Sequence, residues 1–166
     1  MIISYSELCL IGGDAGDNVD AMIGRGAESI ELMLDGLGWD QFQLRMESLA
    51  RTLLKRKVAY SVHVPVWDVN LASESSHIRE AALESYRQSI VFASMIDASH
   101  VVLHPGARSD LHFRADLARK RAREALDALV DFNKAYGRLL LVENIGSPES
   151  SIFSQEEYAE FLAGQP

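Results

Sequence analysis

Along the chain a short apolar run, a polar loop and a longer run with apolar residues every three or four positions follow one another repeatedly. The short runs are Ile2 to Ile11, Ser29 to Leu34, Ala59 to Val64, His100 to His104 and Leu139 to Val142, each of strand length and most rich in Ile, Val or Leu. Between them Phe42, Met46, Leu49 and Leu53 recur at helical spacing, as do Ile78, Ala82, Tyr86, Ile90 and Ala93, and then Ala118, Ala122, Ala125 and Leu129. Such stripes predict helices with one face on a sheet. Asp40 with Gln43 resembles a capping box, and Ser154 with Glu157 fits that pattern more closely. Gly137 suits a helix C-terminus in the left-handed conformation. Strands that alternate with helices imply a parallel sheet, because parallel neighbours need a crossover of about a dozen residues or more.

That leaves a doubly wound sheet or a barrel. The glycine cluster Ile11-Gly12-Gly13-Asp14-Ala15-Gly16 lacks the spacing of a dinucleotide fingerprint and reads as a turn. Three strand ends carry residue types that metals use: His63 in Ser61-Val62-His63-Val64-Pro65, His104 in Val102-Leu103-His104-Pro105-Gly106, and Glu143 in Leu141-Val142-Glu143-Asn144. They lie 41 and 39 residues apart, close to one strand-helix unit each, so they are expected at adjacent positions around one rim. In parallel α/β architectures ligands bind at the carboxyl ends of the strands. Two imidazoles and a carboxylate suit zinc or manganese better than magnesium or calcium, and a buried carboxylate beside imidazoles calls for a compensating cation.

Glu31 alternates with Ile30 and Leu32. It is a substrate-binding group if it points into a barrel and a solvated strand-end acid if it does not. Asn70, in the loop after His63, is a further candidate for substrate binding. His77 and His112 read as solvated, and His100 begins its strand at the opposite rim. The basic cluster Arg119, Lys120, Arg121 and Arg123 is interspersed with acids and reads as a solvated helix face.

Composition narrows the picture further. The 166 residues, 48% of them hydrophobic, suffice for one core, and a formal charge of -8 disfavours nucleic acid as a partner. The lone Cys9 cannot form an internal disulfide, no stretch has the length of a membrane span, and the apolar start lacks a basic leader segment, which together predict a reducing, cytoplasmic setting.

With the segments His63 to Ser73, Val101 to Gly106 and Glu143-Asn144, and with Arg79 near a helix start, the sequence resembles the xylose-isomerase-like TIM barrels. These include sugar-phosphate isomerases and epimerases, inosose-processing enzymes and the endonuclease IV group. The resemblance implies a (β/α)8 barrel of which residues 1–166 form the N-terminal part of a single domain, about the first five βα units. It implies that Glu143 is a metal ligand, that His63 and His104 are metal ligands in endonuclease IV and often substrate-side groups in the isomerases, and that further ligands come from later strands. The expected activity is isomerisation or epimerisation of a small sugar, sugar phosphate or inosose-like carbonyl compound. Glu143 and His104 are its expected catalytic residues and a divalent metal ion its cofactor. The alternatives are a metal-dependent phosphodiester hydrolase of the endonuclease IV type and an inactive half-barrel that only binds. Five strands of a barrel leave two apolar edges, which predicts a homo-oligomer or a longer chain.

Overall fold

Alternation along the strands decides which residues meet the helices. Ile30, Leu32, Val62, Val101 and Leu103 are buried in one core with Val19, Leu53, Tyr86, Ile90 and Leu129 of the helices, each fully buried Leu or Ile contributing about 2 kcal/mol over an exposed one. The computed structural model describes residues 2–108, 112–144 and 151–163. Among these, β1 (Ser4–Ser6), β2 (Ser29–Met33), β3 (Ala59–His63), β4 (His100–Leu103) and β5 (Leu139–Val142) form one parallel sheet in sequential order. The helices α1 (Ala15–Ile23), α2 (Met46–Leu53), α3 (Ser76–Met95), α4 (Ala115–Asn133) and α5 (Gln155–Leu162) follow the strands in turn. Unreversed strand order is that of a barrel wall, whereas a doubly wound sheet reverses at a switch point. The fold is α/β, with five βα units of the TIM-barrel architecture.

The intervening residues face the other side of the sheet. Ser6, Glu31 and Ser61 share one row across the strands, and Met33, His63, Val102 and Leu141 the next. Among the described residues no helix is long and apolar enough to cross a membrane.

Four local features differ from the sequence pattern. The first apolar run is a strand only over Ser4–Ser6, since Ser6 Oγ accepts from Leu8 N–H and starts a 3-10 turn that swings Glu7 inward; Ile2 and Ile3 are exposed, and Met1 lies outside the described residues. The glycine cluster leads straight into α1, whose first N–H groups are capped by the Asp14 carboxylate. Asp40 caps nothing: Trp39 and Phe42 bury their rings in an intervening short turn, and α2 begins at Met46 with no side-chain cap. Three of the basic residues of α4 are tethered, while Lys120 stays solvated as expected. Arg119 pairs with Glu157 at 2.7 Å, Arg121 donates to the Ser73 carbonyl and lies over the Phe113 ring, and Arg123 lies over Phe161.

Gly137 takes φ +64° after α4, with its N–H on the Asn133 carbonyl, as a left-handed helix terminus requires. Ser154 and Glu157 form a complete capping box at the start of α5. Ser154→Ala is expected to cost about 1 kcal/mol, read as a lowered midpoint in urea unfolding with an unchanged slope; an unchanged midpoint would show that α5 does not depend on its cap.

Candidate metal centre

Where β3, β4 and β5 end, the pleat and the register turn three side chains to one point. His63 pairs with Val102 and Leu103 with Val142, and Glu143 N–H donates to the Leu103 carbonyl, which seats His104 and Glu143 side by side just beyond their strands. His63 Nε2 stands 3.3 Å and His104 Nε2 3.2 Å from Glu143 Oε2. The two rings meet edge to face with centroids 4.8 Å apart. One potential ligand atom from each residue lies within 4.8 Å of the other two, so the trio could hold a metal ion.

The tautomer of His63 sharpens this. Its Nδ1 is 2.8 Å from the Val64 carbonyl oxygen, which can only accept, so Nδ1 carries the proton. A neutral His63 then turns the lone pair of Nε2 toward a carboxylate, two electron-rich groups at hydrogen-bond distance. Such a contact is stable only with a positive charge, either a second proton on the ring or a cation between the groups. With metal–ligand bonds of about 2.0–2.1 Å, neighbouring corners of a tetrahedron are about 3.3 Å apart, close to the two nitrogen–oxygen separations seen here.

Burial, reinforced by the neighbouring His63, pushes the His104 imidazole below its ordinary value against the pull of Glu143. Partial burial pushes the Glu143 carboxyl up, but hydrogen bonding to both imidazoles outweighs it and holds the group below the usual carboxylate range. Glu143 is therefore favoured as the ionised carboxylate and His104 as the neutral imidazole, the forms that bind metals.

The other expected site residues fall in different places. Glu31 lies on the face opposite Ile30 and Leu32, half-buried, one row beneath His63. Asn70 is engaged between loops: Oδ1 accepts from Ala72 N–H and Ala107 N–H, and Nδ2 donates to the Ala107 carbonyl, leaving one amide hydrogen for any ligand. Gly106, at φ +105°, permits that approach, since a Cβ there would come within 2.8 Å of Ala72 and Asn70. His77 and His112 are exposed, and His100 contacts Ser99 at the far rim. Arg79 donates to the Ser73 and Glu74 carbonyls at the start of α3.

Two carboxylates that the sequence pattern does not single out are buried nearby in the fold. Glu7 accepts from Asn18, Trp39 and the Met33 N–H, and Asp35, just past β2, accepts from Val66 N–H. A groove of about 690 Å³ runs between the segment after β2 and α3 and holds none of the three rim residues.

A sequence model of the family described as xylose isomerase-like TIM barrel matches residues 19–164, and the chain belongs to that family. A protein of Geotalea daltonii named as a probable endonuclease 4 is 24% identical over 119 residues, 71% of this chain and 40% of its own length. A solved D-tagatose 3-epimerase-like protein superposes with a TM-score of 0.83 at 20% identity, covering 99% of this chain and 61% of its own. The IolI protein with a bound zinc atom superposes with a TM-score of 0.75 at 14% identity, covering 98% and 58%. The chain thus spans two fifths to about three fifths of the length of these relatives. At such identities the superpositions speak for the fold alone.

Proposed function

We propose that this chain supplies the metal-holding part of a divalent-metal-dependent sugar isomerase or epimerase, with residues 1–166 forming the N-terminal part of one TIM-barrel domain. The observation that carries it is the convergence of His63 Nε2, His104 Nε2 and Glu143 Oε2 at strand ends. His63, His104 and Glu143 would hold the ion, and zinc suits the donor set and the separations better than manganese. When bound, the ion would supply Lewis acidity toward a carbonyl or hydroxyl oxygen of the substrate. The protein groups do the rest: Glu143 brings the negative charge, and the imidazoles bring directional nitrogen donors. On the same face Ser6, Glu31 and Ser61 form a row about 7 Å down the strands, and half-buried Glu31 offers acceptor oxygens to a hydroxyl of a small polyhydroxylated compound. In the named relatives the epimerase-like and isomerase-family likeness agrees with such a substrate.

A phosphodiester hydrolase of the endonuclease IV type is supported by the match to the Geotalea daltonii protein and by both rim histidines. The charge of -8 counts against it, because duplex binding relies on Lys and Arg at phosphates.

Metal-loaded protein is expected to exchange the hydrogen beside the carbonyl of a ketose or inosose with solvent deuterium, followed by NMR, and to show no duplex binding at physiological salt. Tight, salt-sensitive binding and cleavage of an abasic duplex, without exchange on any sugar of the panel, would replace the isomerase with the hydrolase.

A further inference from the structure

His63 owes its orientation to the Val64 carbonyl, and that carbonyl has a support of its own. The segment Val64-Pro65-Val66 leaves the sheet immediately after β3. At its start Val64 N–H donates to the Val102 carbonyl at 3.0 Å. Pro65 offers no N–H, so Val66 N–H is the next donor along the chain, and it is taken at 2.7 Å by Asp35 Oδ2. Asp35 also accepts from the Trp67 N–H, so one carboxylate gathers two successive backbone donors. The segment is thereby clamped at both ends, with the Val64 carbonyl in between and turned back onto the imidazole at 2.8 Å.

Asp35 is itself fixed. It is 8% exposed, Leu34 N–H donates to the His63 carbonyl at 3.1 Å, and Asp35 N–H donates to the Met33 carbonyl at 2.7 Å. A buried carboxylate is costly unless its hydrogen bonds serve something. Stapling a surface loop would need only one neutral acceptor; here an anion sits behind a peptide segment whose carbonyl sets which nitrogen of His63 is free.

We propose that Asp35 is a positioning residue for His63: by holding Val66 N–H it aims the Val64 carbonyl at Nδ1, which keeps the proton there and leaves Nε2 facing Glu143 and His104. The consequence for metal affinity rests on the metal-centre reading given above; the consequence for the His63 tautomer does not. Partners standing behind a direct ligand typically change affinity by about 10- to 100-fold when removed.

The test compares Asp35→Ala and Asp35→Asn with the parent protein, using zinc alone as the probe. Zinc affinity is measured by competition with a chromogenic chelator, the His63 ring nitrogens by 15N NMR of the metal-free protein, and the fold by circular dichroism. Asp35→Ala is expected to lose at least about tenfold in affinity and to show a mixed His63 tautomer. Asp35→Asn retains a carboxamide oxygen for Val66 N–H and is expected to stay within about threefold of the parent with Nδ1 protonated. A purely structural staple would change the melting temperature of Asp35→Ala and leave its tautomer and affinity at parental values, and that result would overturn the proposal. If Asp35→Ala does not fold, Asp35→Ser, whose hydroxyl stops short of Val66 N–H, takes its place with the same expectations. If the parent protein binds no zinc, the metal-centre reading fails by itself. The tautomer then decides: a mixed His63 ring in the Ala or Ser variant upholds the role of Asp35, and an unchanged ring removes it.

Discussion

Glu143→Gln is expected to lower zinc affinity by at least about 100-fold and to leave the metal-free protein slightly less stable. The first half follows from charge. Removing a group that only supports a ligand costs up to about 100-fold, and the Glu143 oxygen is the anionic member of the trio itself, so its neutral replacement sets that figure as a lower bound. The second half follows from the depressed carboxyl. Because the folded protein holds Glu143 below the usual carboxylate range, its ionised form stabilises the fold, and a neutral Gln loses that contribution. The Glu143 side chain is 52% exposed, so no packing is lost. Competition titration with a chelator reads the affinity and urea unfolding of the apo protein reads the stability. Parental affinity in the variant would remove Glu143 from the ligand set. His104→Ala is expected to act in the same direction, and because burial holds the His104 imidazole below its ordinary value of 6.5, that residue stays neutral and able to bind somewhat below that pH.

The convergence of His63, His104 and Glu143 was legible in the sequence because parallel strands impose a simple geometry. Each of His63, His104 and Glu143 closes an apolar run, and runs repeated at nearly constant spacing must bring their ends to one rim. Glu31 was half legible: alternation with Ile30 and Leu32 sets it on the opposite face from the core, but which face lies under the trio depended on strand register. Asp35 and Glu7 were not legible at all. Their burial is decided by donors far along the chain, Val66 for the one and Asn18, Met33 and Trp39 for the other, and no local pattern announces such a partner. Helix α1 illustrates a different loss. Ala15, Val19 and Met22 are spaced for one buried face, but Gly16, Asp17, Asn18 and Asp20 between them dilute the signal, and the helix is held by its Asp14 cap and by the bidentate Arg56–Asp20 pair. Asn70 shows that a polar residue in a site loop can be spent on the loops themselves, here as the link that fixes the segment after β3 against the one after β4.

Glu7→Ala is expected to cost about 3 kcal/mol of stability, the largest effect of any single substitution considered. Glu7 is 1% exposed and collects hydrogen bonds from Asn18 Nδ2 at 2.9 Å, Trp39 Nε1 at 2.9 Å and Met33 N–H at 3.1 Å. These donors come from α1, from the segment after β2 and from the end of β2, so one carboxylate joins three elements at the start of the fold. Alanine would leave them facing a cavity without an acceptor, and each buried unsatisfied donor costs about 1–3 kcal/mol before any relaxation. Glu7→Gln is expected to cost only about 1 kcal/mol, because its oxygen still serves Trp39 and Met33 while the Asn18 amide can turn its own oxygen to the new NH2 group. The pair also separates charge from shape. Burial raises the Glu7 carboxyl above its ordinary value of 4.5 despite the three hydrogen bonds, so the folded state holds that proton more tightly than the unfolded chain does. Its contribution is therefore complete below pH 4.5 and declines as pH rises through the raised folded value, where the unfolded chain has already released its proton. Urea unfolding of the parent protein and of Glu7→Gln across that range is expected to show this decline in the parent and its absence in the variant. Equal pH slopes in the two proteins would mean that the Glu7 carboxylate is as easily ionised inside the fold as outside it, and that its three donors fully offset its burial.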